Sequence, residues 1–591
     1  LVDVDAAQIE RVGRPPLRLT HGREGGAPRQ EMIDLLRDGA LLRVRRRQAA
    51  SESQLSPRSS VSSAASSLDE GRERVAKRRR MLERGQEEHT LVLSSLATLS
   101  LFFNLVILYI FGSLRDRVRK LLKGPVHKIV KGYAPICWDF EDFYVRRMYR
   151  RVVDCFNRPI NSSPGAWMDV MERRSKDGNA TLEHTGRSMR VLNLGSYNYL
   201  GFAASDPYCT PRAKEALRKY GWSTCANSAG VGTLPVHREL ERTFCDFLGV
   251  EAAMIYGMGF ATNTLTIPCL VQKGDLVLSD EFNHKSIVEG IRHSGAKVKV
   301  FRHNDTEHLE QLLKESIARG QPRTCRPWKK VLIIVEGVYS MEGELCLLPD
   351  ILELKKKYKA YLYLDEAHSI GAMGPSGRGA CDHFGIDPKE IDVMMGTFTK
   401  SFGSCGGYIA GSKELVDHIR TSSPGSHYAT SISPPAAEQV ISALKLLRGE
   451  DGSYRGAQKL TQLHDNANFF RDELMRRGFQ VLGDLDSPVV PVMIYHPAKF
   501  CAFSRLCLAK KLAVVVVGFP ATGLFLGRVR FCVSAAHSME DMRYALDVIT
   551  EEGDRCFFRF FKKEADKGIR NDAMMRCETL TPGRSTPGRR R

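Results

Sequence analysis

Residues from about 191 to 560 alternate between short apolar runs and longer amphipathic stretches, and this alternation constrains the fold more than any other feature. Residues 331–335 and 361–364 are continuous apolar runs of strand length, and residues 350–359 between them have a helical pattern. Strands without polar alternation are buried on both faces, which is typical of a parallel sheet covered by helices. The sequence therefore predicts an α/β fold with a mostly parallel sheet.

The rest of the 591-residue chain differs in composition from this region. A run rich in Ser and Ala and a basic cluster, residues 77–80, precede it, and a polar, basic stretch follows it. We divide the chain into a disordered basic N-terminal region (1–90), a transmembrane helix (91–112), a membrane-proximal basic and aromatic segment (113–190), a large α/β domain (191–445), a small C-terminal domain (446–560) and a disordered basic tail (561–591).

Residues 91–112 contain no charged side chain. A helix of about 22 residues is about 33 Å long, which is enough to cross the ~30 Å hydrocarbon core of a bilayer. The alternative is a helix buried in a protein core. Basic residues flank both ends of the segment, so the positive-inside rule does not decide its orientation.

The net charge of +19 is concentrated in the flanks, since residues 1–90, 113–160 and 555–591 carry almost all of the basic excess. A nucleic-acid enzyme usually carries its positive charge on the folded body, so the distribution favours a membrane surface and no nucleic-acid partner. The 15 cysteines are scattered, without a CxxC pair. This argues against a disulfide framework and a structural zinc site, and we expect no metal and a reducing compartment.

The strongest chemical signal joins Asp365 and Lys400. Asp365 follows a predicted buried strand, and ligands of parallel sheets bind at the carboxyl ends of the strands. Lys400 lies 35 residues later, among the hydroxyls and glycines of residues 396–403. Pyridoxal phosphate needs a lysine amine for a Schiff base and a carboxylate that keeps its pyridine nitrogen protonated. An isolated lysine would be read as solvated, but the pair indicates pyridoxal phosphate.

Two further features fit this cofactor. Residues 256–263 form a glycine-spaced loop that can open a helix, whose backbone amides could bind the phosphate. Residues 374–379 also resemble a phosphate loop but lack the Lys-Ser/Thr ending of a Walker motif. His284 follows the first loop by some twenty residues and could stack on the cofactor ring. Its alternative is an ordinary structural histidine.

Five segments together resemble the α-oxoamine synthase family of fold-type-I pyridoxal-phosphate enzymes: residues 193–202, 280–284, 335–343, 365–368 and 396–403. More narrowly, residues 322–330, 396–403 and 514–522 look like the catalytic long-chain-base subunits of serine palmitoyltransferases. The similarity runs over about 135–560. It implies a fold-type-I transferase fold, with residues 191–445 as the domain that binds pyridoxal phosphate.

The resemblance implies a role for each matching residue. Lys400 matches the Schiff-base lysine and Asp365 the partner of the pyridinium nitrogen. The remaining matches contact the cofactor or the amino-acid substrate: His284 (ring stacking and orientation of the substrate carboxylate), His368 and Ser340 (the phenolic oxygen), Thr397 with the amides of Gly259 and Phe260 (the phosphate), and Arg530 (the substrate carboxylate). Arg528 is the competing candidate for the carboxylate, because both arginines lie in one predicted strand.

The implied reaction is the decarboxylative condensation of L-serine with a long-chain acyl-CoA, palmitoyl-CoA, to 3-ketosphinganine. The resemblance further implies a single-pass protein of the endoplasmic reticulum membrane with a cytosolic catalytic domain. Its implied partners are a non-catalytic companion subunit in a heterodimer and small regulatory membrane subunits. Two alternatives stay open: an α-oxoamine synthase with a different amino acid and acyl-CoA, or a non-catalytic scaffold subunit, which would lack the lysine.

Two segments depart from the expected pattern. Residues 225–237 match the family only loosely, which puts a contact from that loop in doubt. Gly523 follows Pro520-Ala521-Thr522 where a proline is common, so we expect a looser substrate-gating loop there.

Overall fold

The computed structural model describes residues 149–562, except 178, 180, 520, 524 and 525, and most of residues 96–122. The predicted disordered N-terminal region, residues 1–90, lies outside the described residues, as do residues 123–148. Of the predicted disordered tail, 561–591, the structure describes only Phe561 and Lys562. Several residues of the predicted membrane segment, 91–95, 97, 98, 101 and 105, also lie outside them.

Strands and helices alternate through the described chain. The strands are β1 (Trp167–Arg174), β2 (Glu183–Asn193), β3 (Ala252–Tyr256), β4 (Leu276–Asp280), β5 (Lys297–Phe301), β6 (Val331–Glu336), β7 (Tyr361–Asp365), β8 (Val393–Thr397), β9 (Gly407–Gly411), β10 (Val489–Tyr495), β11 (Leu512–Ala513), β12 (Val515–Val517) and β13 (Gly527–Cys532). The helices are α1 (Arg150–Phe156), α2 (Cys209–Tyr220), α3 (Pro235–Leu248), α4 (Gly259–Leu270), α5 (Lys285–Ser294), α6 (Thr306–Arg319), α7 (Leu348–Tyr358), α8 (Ala380–Phe384), α9 (Lys413–Ser422), α10 (Pro424–Tyr428), α11 (Pro434–Leu447), α12 (Arg455–Arg476), α13 (Pro497–Ala509) and α14 (Met539–Arg555).

The largest sheet has seven strands in the order β3-β9-β8-β7-β6-β4-β5. Strands β5, β4, β6, β7 and β8 pair in parallel, and β9 runs antiparallel to both of its neighbours. Successive side chains point to opposite faces: Leu362 and Leu364 pack in one apolar core, and Tyr363 packs in another. Both faces of the sheet are therefore covered, and the predicted α/β fold with a mostly parallel sheet is confirmed.

Local sequence signals explain where the flanking helices begin and end. In α6, the Asp305 side chain accepts a hydrogen bond from the His308 amide, 2.8 Å away, and so caps the first turn. Gly320, at φ 63°, ends the same helix in a backbone conformation that suits glycine. Such caps satisfy backbone groups that a helix end would otherwise leave unpaired.

A second apolar core lies among β10, β12, β13, α13 and α14. Helix α12 contributes to both cores: Leu460 and Leu463 pack in the core of the large sheet, and Phe470 and Leu474 in the second core. The predicted domain boundary after residue 445 falls two residues before the end of α11, whose Leu446 still packs against the large sheet. One helix thus joins the two parts of the protein.

Part of the predicted membrane-proximal segment is built into the folded body. Strand β2 pairs antiparallel with β1 and parallel with β11, where Leu192 lies opposite Leu512. The described residues between 96 and 122 are helical. Among the residues that the structure describes, no helix combines the length and the apolar character needed to span a bilayer.

Gly403 gives a test of how tightly the loop after β8 is packed. It has φ +61°, and a Cβ there would collide with the backbone of Phe202 and Ala203. At Gly452, with φ +77°, a Cβ would meet no described atom within 4 Å. We expect Gly452→Ala to cost about 1–2 kcal/mol for the left-handed backbone alone, and Gly403→Ala a further ~1–3 kcal/mol for overpacking.

Thermal unfolding of the two purified variants, followed by circular dichroism, measures this difference. Equal melting temperatures would show that the loop moves aside at no cost, contrary to our expectation.

Candidate active site

The carboxyl ends of β6, β7 and β8 bring three ionisable residues to one edge of the sheet. Asp365 is the last residue of β7 and lies opposite Glu336, the last residue of β6. On its other side Asp365 pairs with Met395 of β8, and Lys400 follows three residues after that strand ends. The two residues that the sequence singled out, Asp365 and Lys400, therefore lie at the same edge, where parallel sheets bind ligands.

Asp365 is buried, and both of its oxygens accept hydrogen bonds. Its Oδ2 accepts from Nδ2 of Asn263 at 2.8 Å, and its Oδ1 from the amide of Ala367 at 2.9 Å. Two donors and no acceptor fit an ionised carboxylate. Such a carboxylate is the group that would hold a proton on a pyridine nitrogen.

The amine of Lys400 has an unusual environment for a lysine. Burial lowers the pKa of Lys400 to about 8, and the charge of Arg530 adds to this effect, while Asp365 and Glu336 oppose it. The Nζ atom lies 5.6 Å from the ring centre of Tyr197. An amine with a pKa near neutral is partly unprotonated, so it can attack an aldehyde or accept a proton.

Two histidines border the same space. His284 caps α5, and its Nδ1 lies 2.7 Å from Oγ of Ser286; partial burial and the charge of Lys400 lower the pKa of His284, against the effect of Asp365. His368 is buried, and its Nδ1 lies 2.8 Å from the hydroxyl of Tyr199. Burial lowers the pKa of His368 well below its usual value, so its imidazole is neutral.

The start of α4 forms a place for an anion. The helix begins at Gly259 and has no side-chain cap, so the amides of Gly259 and Phe260 belong to its open first turn. A Cβ at Gly259 would lie 2.7 Å from Oγ1 of Thr397, which itself donates to the carbonyl of Gly406 at 2.9 Å. Glycine therefore allows the helix end to approach the threonine that the sequence assigned to the phosphate.

The two candidate arginines of β13 have different partners. Arg528 is buried in an ion pair with Glu342, 3.2 Å away, and also donates to the carbonyl of Met341 at 2.9 Å. The guanidinium of Arg530 lies 4.4 Å from the ring centre of Tyr197, and its Nε is buried without a hydrogen-bond partner among the described residues. Arg528 already has a carboxylate, whereas Arg530 has a donor left for one.

Ser340 lies beside Arg530, whose Nη1 is 3.5 Å from the serine carbonyl oxygen. The structure thus brings the predicted residues into one neighbourhood. Sequence reasoning did not single out Tyr197, Asn263, Ser286 and Glu336, which contact them. Tyr197, Asn263 and Glu336 do lie inside segments recognised as motifs, and that was the only available signal.

This set of residues fits pyridoxal phosphate. Lys400 supplies an amine, and Asp365 supplies a carboxylate for the ring nitrogen. The helix start at Gly259 leaves space beside Thr397 for the phosphate, and a Cβ at position 259 would reduce that space. The buried and unpaired Nε of Arg530 supplies a donor for a substrate carboxylate.

Comparison with known proteins agrees with this reading. A family model for aminotransferase class I and II matches residues 189–549. Long chain base biosynthesis protein 2a of rice is 60% identical over 79% of this chain and 96% of its own length. Its Arabidopsis counterpart of the same name is 56% identical over 80% and 96%. Human serine palmitoyltransferase 3 is 52% identical over 75% and 82%.

Solved structures agree as well. A serine palmitoyltransferase with its pyridoxal phosphate internal aldimine has a TM-score of 0.62 at 26% identity, over 71% of this chain and all of that one. Serine palmitoyltransferase of Sphingomonas wittichii has a TM-score of 0.63 at 25% identity, over 72% and 99%. The cofactor predicted from Asp365 and Lys400, pyridoxal phosphate, is confirmed, as is the resemblance to the α-oxoamine synthases. The chain belongs to the aminotransferase class I and II family and, within it, to the serine palmitoyltransferases that make long-chain bases.

Proposed function

We propose that this chain condenses L-serine with a long-chain acyl-CoA, palmitoyl-CoA, releasing CoA and CO2 and forming 3-ketosphinganine. The Cα–H bond of serine breaks and a bond forms between Cα and the acyl carbon, while the thioester C–S bond breaks and CoA leaves as its thiol. The bond from Cα to the carboxylate then breaks, and a proton takes the place of the CO2 that leaves. The observation that carries the proposal is the Lys400 amine, with its pKa lowered to about 8, at the same sheet edge as the Asp365 carboxylate.

Bound pyridoxal phosphate supplies an electron sink for the charge that develops at Cα. Asp365 keeps the ring nitrogen protonated through its carboxylate, which Asn263 and the Ala367 amide hold in place. Arg530 binds the carboxylate of serine through its guanidinium fork. The Nζ of Lys400, partly unprotonated at neutral pH, takes the proton from Cα.

Two observations argue against the competing functions, which are a scaffold subunit and a synthase for small acyl groups. A scaffold subunit of this family would lack the lysine, whereas Lys400 is present beside Asp365 and His284. A synthase for small acyl groups needs no membrane segment. An assay of acyl-CoA chain length separates the second alternative from the function proposed here.

Family membership supports a heterodimer with a non-catalytic companion subunit, joined by small regulatory membrane subunits. A membrane location is supported by the charge-free residues 91–112. Several described large apolar side chains of this segment are exposed: Leu96, Leu99, Phe102, Phe103, Val106, Ile107, Leu108, Tyr109, Ile110 and Phe111. Acyl-CoA and product each carry a long chain that favours the bilayer by about 0.8 kcal/mol per CH2. We place the protein in the endoplasmic reticulum membrane with its catalytic domain in the cytosol.

Replacing the lysine tests the proposed chemistry directly. We expect Lys400→Ala to abolish product formation and the visible absorbance of the bound cofactor, because no amine is left to hold it. Lys356→Ala, at an exposed lysine paired with Glu390, is the matched control and should keep both. The measurements are an absorbance spectrum and a product assay with L-serine and palmitoyl-CoA on protein coexpressed with the companion subunit. Turnover by Lys400→Ala would exclude this mechanism.

Alanine substitution of the two arginines should have different effects, one on serine binding and the other on stability. Arg530→Ala should raise the KM for serine by about tenfold or more, since a charge-assisted hydrogen bond contributes ~1.5–3 kcal/mol, with little change in melting temperature. Arg528→Ala should lower the melting temperature, because it leaves the buried Glu342 carboxylate without its cation.

Serine kinetics and thermal unfolding on the same two preparations separate these effects. If Arg528→Ala raised the KM and Arg530→Ala did not, the assignment of the carboxylate site would be reversed.

Membrane insertion can be tested without shortening the chain. Phe102→Arg with Phe103→Arg places two charges at the centre of the proposed span, where each costs ~2.5–3.5 kcal/mol. We expect this variant to be extracted from microsomes by alkaline carbonate, while the unmodified chain is retained. Val118→Arg with Leu122→Arg, outside the span, is the matched control and should be retained.

The orientation has its own readout. With a cytosolic catalytic domain, the glycosylation motifs at Asn161, Asn179 and Asn304 stay unmodified, so an endoglycosidase should not change the mobility of the protein on a gel. A mobility shift would place the domain in the lumen.

A further inference from the structure

Asn263 connects Asp365 to a second hydrogen-bonded group and is itself almost fully buried. Its Nδ2 donates to Oδ2 of Asp365 at 2.8 Å and to Oγ of Ser286 at 2.9 Å, and its Oδ1 accepts from the hydroxyl of Tyr363 at 2.6 Å. A carboxylate can only accept, so the amide NH2 faces Asp365 and the carbonyl faces Tyr363. Both donors of this amide are therefore committed.

Ser286 extends this series of hydrogen bonds from Asn263 to His284. Its buried hydroxyl accepts from Asn263, so its own hydrogen is available for another acceptor. Nδ1 of His284 lies 2.7 Å from this hydroxyl and also accepts from the Ser286 amide at 3.3 Å. With two donors directed at Nδ1, the proton of a neutral imidazole resides on Nε2.

We propose that Asn263 and Ser286 are positioning residues that hold His284 in the tautomer with its proton on Nε2. This inference rests on the proposed function and on the role that the family resemblance implies for His284, which is to help orient the carboxylate of serine. A donor is needed for that task, and only the Nε2–H tautomer leaves a donor on the nitrogen not occupied by Ser286. The histidine is thus prepared for the substrate before serine arrives.

The position of the proton on His284 is important because the groups around the ring favour its neutral form. Lys400, together with partial burial, lowers the pKa of His284, and Asp365 opposes them. Glu336 accepts a hydrogen bond from the backbone amide of His284, and His368 also faces it. A lowered pKa means a neutral ring over the neutral pH range, and a neutral ring has one proton to place.

The test measures serine binding to the full-length holoprotein, coexpressed with its companion subunit, through the change in visible absorbance on adding L-serine. We expect Ser286→Ala to keep the cofactor spectrum and to bind serine about three- to tenfold more weakly at high pH, as for one lost hydrogen bond. The loss relative to the unmodified protein should shrink only in acid, once the ring is protonated, because an imidazolium carries protons on both nitrogens. The lowered pKa of His284 puts this change below the ordinary imidazole value of about 6.5.

Three controls separate positioning from a general structural role. Ser286→Thr restores a hydroxyl and should restore binding. Ser294→Ala, which removes a hydrogen bond to the Ile291 carbonyl at the other end of the same helix, should leave serine binding unchanged. In a His284→Ala background, Ser286→Ala should have no further effect, since it acts only through the histidine.

A pH-independent loss in Ser286→Ala, no loss at all, or an equal loss in the His284→Ala background would each overturn the inference. If the alanine variant does not fold, Ser286→Cys gives the same readout with a weak donor in nearly the same shape. Failure of the proposed function looks different: the unmodified holoprotein itself would not respond to L-serine at any pH.

Discussion

The active site depends on a lysine amine and a carboxylate held at one edge of a sheet where water is largely excluded. In such surroundings a charge is costly unless an opposite charge or a hydrogen bond compensates it. Asp365 meets this requirement with two donors, and Lys400 meets it in part by releasing its proton more readily. The same burial that destabilises the ammonium makes it useful, because an unprotonated amine is the reactive form.

Other ionisable groups near Asp365 and Lys400 are either paired or have a shifted pKa. Arg528 is paired with Glu342 and so cannot compete for a substrate carboxylate. Burial and the charge of Asp365 raise the pKa of Glu336 well above its usual value, which favours the neutral form of that carboxyl group. Arg530 is the exception, with a buried Nε that has no hydrogen-bond partner among the described residues. A buried donor without a hydrogen bond destabilises the folded protein, and we therefore expect a ligand to accept a hydrogen bond from this Nε.

The sequence was sufficient for the fold class and for the cofactor. Continuous apolar strands indicated a sheet covered on both faces. Asp365 at the end of one such strand, followed 35 residues later by Lys400 among hydroxyls and glycines, indicated the cofactor. The pattern could not separate Arg528 from Arg530, since residues two apart on a strand share a face. What separates them is Glu342, which lies 186 positions away.

The residues that sequence reasoning missed have the same explanation. Asn263 stands between Thr262 and Thr264 near the start of a helix, so nothing in the sequence distinguishes it from its polar neighbours. Only the folded chain shows that Asp365, 102 positions later, accepts a hydrogen bond from it. Ser286 follows His284 closely, but its hydroxyl gains significance through Asn263, 23 positions earlier. Contacts of this kind come from tertiary packing and have no periodic signature in the chain.

Helix α12 has a further implication for how the enzyme responds to stress. Its first half is anchored in one apolar interior and its second half in the other, with no break between Arg455 and Arg476. A continuous helix is stiff, so neither half can lose its packing without disturbing the other. Loss of packing at the catalytic edge would then disturb the strand that carries Arg530 as well, which disfavours a partly denatured form that keeps the cofactor but has lost the substrate arginine.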